Sequence, residues 1–304
     1  MQEEPTLAKF RKDPRRVRML LPLEARHTIR RGVDTWGEQT SAFRILPTYL
    51  IVGAMKSGTS ALYEYLVRHP LVARSTNEEV HYFSLHYDRG FAWYRGHFPT
   101  VLRAAYARRR YGRRLITGES TPYYMFHPHA SQRIASLLPD AKLLVVLRNP
   151  VDRAYSHYNH ARQMGVEDIA SFEDALEAEP ARLDGEVEKM LADPSYNSPA
   201  HWHNSYLARG LYVEQVQRLF SLFDERQVLI HTAEELSSHP ERVHVRAQEF
   251  LGLPVRRLSR YPRHNVRRYP PMRPETRRRL VEYFAEPNER LCEFLGVDLG
   301  WDRP

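Results

Sequence analysis

Cysteine, lysine and long apolar runs are what this chain of 304 residues has least of. One cysteine, Cys292, allows no intrachain disulfide and no Cys-x-x-Cys metal site. The longest apolar stretches, Tyr49-Leu50-Ile51-Val52 and Leu143-Leu144-Val145-Val146-Leu147, fall far short of the roughly 20 residues that span a bilayer. The first residues, Met1 to Pro5, open acidic and lead into no apolar run with a small-residue cleavage site. A soluble protein of a reducing cytoplasm is therefore expected. Only 5 lysines stand against 40 arginines, so each lysine raises the question of why arginine would not serve.

What is present is a chain able to bury a core. It is 42% apolar and 27% charged, which excludes disorder or a fibrous architecture for the whole molecule. The net charge of +8 and a pI near 9.6 favour anionic partners. Charge alone does not choose among nucleic acid, a membrane surface, a sulfated or carboxylated glycan and a phosphate-rich cofactor. Residues 1–44 are basic and proline-punctuated, as in Phe10 to Arg18, with no sustained periodicity. They read as an arm appended to a single domain over residues 45–304.

From Tyr49 onward short aliphatic runs alternate with amphipathic segments, the pattern of strands joined by crossover helices. Strands are expected at Tyr49 to Val52, Leu115 to Thr117, Lys142 to Leu147 and Val228 to His231. Ala61, Leu62, Tyr65 and Leu66 share one helical face, and Tyr212, Val216, Leu219, Phe220 and Phe223 another. Two closing helices are expected, Pro274 to Phe284 and Asn288 to Leu295. Residues 177–204, rich in Pro, Asp, Glu and Ser, read as a long surface loop with a helical piece, placed to cover a site. The fold class is α/β, a P-loop-like three-layer arrangement with a central, mainly parallel sheet flanked by helices.

The first strand runs into Gly53-Ala54-Met55-Lys56-Ser57-Gly58-Thr59-Ser60 and then into a helix. Strand, glycine-bearing turn and helix start make an anion site, since unpaired backbone N–H groups converge on the positive helix end. The order departs from a Walker motif: Lys56 precedes Gly58, and no lysine follows it. Lys56 can place a compact ammonium on a leaving oxygen, while Ser57, Thr59 and Ser60 offer hydroxyls to a terminal phosphate. Further on, Lys142 to Leu147 ends in Arg148-Asn149-Pro150, where proline suits the first turn of a helix that carries Ser156 two turns in. Arg148 and Ser156 suit a second phosphate.

These two elements resemble the 5′-phosphosulfate loop and the 3′-phosphate motif of sulfotransferases that use 3′-phosphoadenosine 5′-phosphosulfate (PAPS). Glu78 to Phe83, Gly118 to Tyr124, Arg209 to Tyr212 and Asn265 to Met272 extend the likeness to the heparan sulfate and related carbohydrate sulfotransferases, over residues 48–302 and in the same order. The resemblance implies a sulfotransferase fold, PAPS as sulfuryl donor and no metal requirement. It implies Glu79 as general base and His81 beside it for binding or orienting the acceptor. Lys56, Ser57, Gly58, Thr59, Ser60, Arg148 and Ser156 would hold the cofactor, with Tyr212 on the nucleoside side and Arg267 and Arg268 closing over the phosphates. Three departures bear on the acceptor: Ser120 stands where glycosaminoglycan-directed relatives often have lysine, Asn265-Val266 replaces Lys-Gly, and the C-terminal disulfide is missing. A glycan or a small molecule is the implied acceptor, with nucleic acid not a partner. A P-loop kinase or NTPase would need an acidic strand end where Arg148 stands, and a nucleic-acid binder has only the charge in its favour. His157 and His160 share a helix at i, i+3 without a third metal ligand, so solvated histidines are expected there and at His127, His129, His201 and His203.

Overall fold

A computed structural model describes residues 23–262 and 269–301. Five strands, β1 (Tyr49–Gly53), β2 (Val72–Arg74), β3 (Ile116–Ser120), β4 (Lys142–Leu147) and β5 (Val228–Thr232), form one sheet in the order β2-β3-β1-β4-β5. Every pairing is parallel. Continuous apolar sequence is what a strand covered on both faces requires, and all of β1 and nearly all of β4 are buried.

Alternate residues feed two layers. Leu50, Val52, Leu143, Val145 and Leu147 pack with the helices Ala130–Leu137 and Tyr212–Leu222. Tyr49, Ile51, Leu144 and Val146 face the opposite way, onto the helices Thr59–Leu66 and Pro240–Phe250. A third cluster joins Pro150–Met164 and Phe172–Leu183 to the last helix through Val151, Phe172, Tyr206 and Phe284. The expected three-layer α/β fold is thus observed. Among the described residues no helix is long and apolar enough to cross a membrane.

Four segments differ from expectation. β3 continues through Gly118-Glu119-Ser120, a stretch too polar to read as strand, because Tyr49, Leu50 and Ile51 of β1 pair with it. Residues 177–204 are mostly helical: Phe172–Leu183 runs through Pro180, and Glu186–Ala192 and Pro199–His203 follow. The chain closes with one helix, Pro274–Leu295, that passes over Pro287, since Leu280, Phe284, Asn288 and Leu291 bury a single face on both sides of it. Leu23–Gln39, within the stretch read as an arm, is a helix on Gly90–Arg95. Gly37 permits that approach, since a Cβ there would lie 2.7 Å from the Gly96 carbonyl oxygen.

Candidate active site

The turn between β1 and the helix Thr59–Leu66 has two left-handed residues, Lys56 at φ 69° and Gly58 at φ 95°. A side chain at Gly58 would add backbone strain and put a Cβ 3.0 Å from Leu236. Lys56 has no such exemption, and a non-glycine residue held in this region is a feature that concentrates at functional sites. The Ser57 hydroxyl is buried without a hydrogen-bond partner among the described residues, beside a helix start whose first N–H groups have no intrahelical acceptor. These are the donors a phosphate needs.

The end of β4 is tied to the same turn. Arg148 Nη1 donates to the Lys56 carbonyl at 3.0 Å, and the buried Tyr212 hydroxyl donates to the Arg148 carbonyl at 3.0 Å. Burial pushes the Tyr212 phenol up to about 12. Asn149 caps the next helix by accepting from Val151 N–H at 3.0 Å, with Pro150 in its first turn, and Ser156 is buried on that helix. Arg267 and Arg268 lie outside the described residues. The chain on either side of them is anchored at the two site helices: the Tyr65 hydroxyl donates to Pro262 O and the Tyr155 hydroxyl to Pro270 O, each at 2.9 Å.

Glu79 and His81 are set at the carboxyl end of β3. Ser120 N–H donates to Glu78 O at 2.8 Å, and β3 neighbours β1, which opens the phosphate turn. Beneath them lies Glu119, fully buried, which accepts from Thr121 Oγ1 (2.5 Å), Tyr124 OH (2.8 Å) and Val80 N–H (3.1 Å). Thr121 Oγ1 in turn accepts from His81 N–H at 3.3 Å. His81 is left-handed, at φ 57°, and its Nε2 lies 3.0 Å from Glu79 Oε2, the Glu79 side chain being 45% exposed. Every neighbour of the Glu119 carboxylate donates, so Glu119→Gln would turn an amide N–H₂ against one of them. The expected cost is about 1–3 kcal/mol, read as a lower urea midpoint. An unchanged midpoint would show that the carboxylate does not carry this segment.

Sequence reading assigned no role to Glu119, Arg209 or Trp202. Arg209 is fully buried, and burial pushes its guanidinium down to about 9. It contacts Met55 Sδ in the phosphate turn, donates to the His201 and Trp202 carbonyls at 3.0 and 2.9 Å, and lies over the Tyr123 and Phe126 rings. Trp202 stands edge-on to His81 with ring centroids 5.7 Å apart. Arg209 therefore links the wall beside His81 to the turn that holds Lys56. The expectation of solvated histidines fails at His127, His157 and His201, which are buried. Burial, reinforced by Arg209 and Arg153, holds the His157 imidazole well below its ordinary range and hence neutral.

A parallel sheet whose first strand feeds a phosphate turn, with a guanidinium from the adjacent strand end bonded to that turn, is the frame of a nucleotide-dependent group-transfer enzyme. The chain belongs to the sulfotransferase domain family, which matches residues 46–277. Membrane-associated sulfotransferase kil1 of Dictyostelium discoideum is 28% identical over 320 residues, 84% of this chain and 66% of that protein. Heparan sulfate glucosamine 3-O-sulfotransferase 3B1 of Homo sapiens is 31% identical over 286 residues, 86% of this chain and 66% of that protein. The chain thus spans just under two thirds of the length of these relatives. A sulfotransferase from Alicyclobacillus acidocaldarius, solved by crystallography, aligns with TM-score 0.63 and 32% identity over 85% of this chain and 100% of its own.

Proposed function

We propose that the protein transfers the sulfuryl group of PAPS to a hydroxyl of a carbohydrate acceptor. The 3.0 Å hydrogen bond from Arg148 to the Lys56 carbonyl carries this reading, because it holds the strand end that bears one anion-binding group against the turn that forms the other anion site, as a ligand with phosphates at the 3′ and 5′ positions of one ribose requires. The buried Ser57 hydroxyl, without a partner among the described residues, and the helix start fit the 5′ end. Arg148 and Ser156 fit the 3′-phosphate, with Tyr212 acting through the Arg148 backbone. Arg267 and Arg268 are assigned to the phosphates as well, on the anchoring of their flanks at Tyr65 and Tyr155.

Bound there, PAPS supplies an activated sulfuryl group. Glu79 takes the proton from the acceptor hydroxyl, and His81, 3.0 Å from its carboxylate, holds it in position. The Lys56 ammonium offsets charge developing on the leaving oxygen, a task for a compact cation rather than a planar fork. The carbohydrate acceptor rests on the relatives whose names specify heparan sulfate. A chain with a single cysteine suits a reducing compartment, and we place the reaction in the cytoplasm.

Product bisphosphate at about 100 times its dissociation constant should stabilise the fold by roughly 2.7 kcal/mol, read as a rise in melting temperature. A rise with ATP and none with 3′-phosphoadenosine 5′-phosphate would overturn the assignment in favour of an NTPase.

A further inference from the structure

We infer that one face of the molecule, built by the helix Leu23–Gln39 and the start of the helix Val101–Tyr111, docks on a membrane surface of anionic lipid. Ile29, Val33 and Trp36 recur at helical spacing and are exposed, at the margin of the face on which Gly37 packs inward against Gly96. The surface continues without a break in structure. Arg44 lies 4.3 Å over the Trp36 ring and pairs with Thr100 across an antiparallel bridge, and Thr100 caps the second helix. Phe43 beside that bridge is 67% exposed, Leu102 just beyond it 79%, and Tyr106 one turn further 68%. Exposed aliphatic and aromatic side chains gathered at one place on a soluble fold mark an interaction surface.

The charge around it is of one sign along the second helix. Val101–Tyr111 contains Arg103, Arg108, Arg109 and Arg110 and no acidic residue, and Arg30 and Arg31 stand exposed on the first helix. Asp34 and Glu38 are the acidic residues of that helix's second half. Apolar side chains set in a basic rim match the acyl boundary and headgroups of an anionic bilayer. A second copy of the chain would set the arginines against themselves in any two-fold contact, and nucleic acid would leave Leu102, Val33 and Ile29 without a partner. The segment before Leu102 is tied to the segment before Glu79, since the His97 carbonyl accepts from Thr76 N–H at 2.9 Å.

Co-sedimentation of the full chain with phosphatidylcholine vesicles containing about a third phosphatidylserine tests this directly. Binding should be at least about 10-fold tighter than to phosphatidylcholine alone and should weaken with salt. The triple variant Trp36→Ser/Phe43→Ser/Leu102→Ser should lose about 10-fold or more in vesicle affinity with an unchanged thermal response to 3′-phosphoadenosine 5′-phosphate. Arg103→Gln/Arg110→Gln, which leaves the apolar residues in place, should lose about 5-fold per charge. Failure to bind either vesicle, equal binding to both, or full binding by the triple variant would overturn the inference. So would a dimer, or heparin or RNA binding, that the triple variant abolishes.

Discussion

Glu79→Gln is expected to lower kcat for sulfuryl transfer by about 10²–10⁴-fold, the usual contribution of a positioned general base, with affinity for 3′-phosphoadenosine 5′-phosphate unchanged. The substitution keeps the length of the side chain and an atom that can bond His81 Nε2, now 3.0 Å from the carboxylate. It removes only the capacity to hold a proton. The backbone that presents residue 79 does not depend on that side chain, because Val80 and His81 are bonded to Glu119 and Thr121. With Glu79 half exposed, stability should stay within about 0.5 kcal/mol. Glu79→Gln and Glu119→Gln thus separate: the first removes chemistry at nearly unchanged stability, the second lowers stability by about 1–3 kcal/mol. Loss of bisphosphate affinity in Glu79→Gln, or turnover within a few-fold of the parent, would take Glu79 out of the base role. Lys56→Ala should also suppress transfer of labelled sulfate, by about 10²–10³-fold if the ammonium acts on developing charge.

The parts of this fold that could be read from the sequence were those with local causes. β1 and β4 are apolar runs buried by their neighbours and β5 is a half-buried edge strand, and the sequence places all three to within one residue. β2 is three residues long and was not foreseen, and the polar end of β3 is strand only because β1 lies beside it. Pro180 and Pro287 read as breaks, yet buried faces carry helices through both. The site divides in the same way. Lys56, Ser57, Arg148, Ser156, Glu79 and His81 sit in contiguous motifs with a recognisable order. Glu119 stands inside one of those motifs, but its task depends on Val80, 39 positions earlier. Arg209 meets Met55 across 154 positions, and a single sequence gives no sign of such a meeting. Lysine scarcity draws the eye to Lys56, which occupies a left-handed position in a turn whose Ser57 hydroxyl is buried without a partner among the described residues. The arginine excess divides between Arg148 at the site, Arg209 and Arg153 fully buried behind it, and the basic rim around Leu102 and Trp36.

Acidification from pH 7.5 to 5.5 should destabilise the protein by several kcal/mol, with a cost of about 1.4 kcal/mol at each histidine that is buried neutral, His157 among them. Burial is the first cause at each: it pushes His127 down to about 2, His201 to about 3, and His97 and His244 to about 4. Cationic neighbours add to it, Arg133 at His127 and Arg209 at His201. Each imidazole has a folded pKa below its unfolded value near 6.5, so the unfolded chain binds more protons as pH falls through that value, and stability drops. One unit below 6.5 the cost is about 1.4 kcal/mol per group. Among the carboxylates, Glu167 and Glu186 are held near 2 and stay ionised in the folded protein, whereas burial holds Glu119 and Glu179 above their ordinary range, so proton uptake there opposes the histidine effect. The histidines are also where acid would reach the site. His201 Nδ1 is 2.7 Å from the Tyr123 hydroxyl, and its carbonyl holds Arg209, so a proton there would loosen the wall beside Trp202. His127→Asn, which can still accept from the His129 N–H that now donates to His127 Nδ1 at 3.2 Å, should remove about 1.4 kcal/mol of the pH dependence. Urea midpoints that coincide at pH 7.5 and 5.5, or an equal fall in parent and His127→Asn, would show that these imidazoles are protonated in the fold.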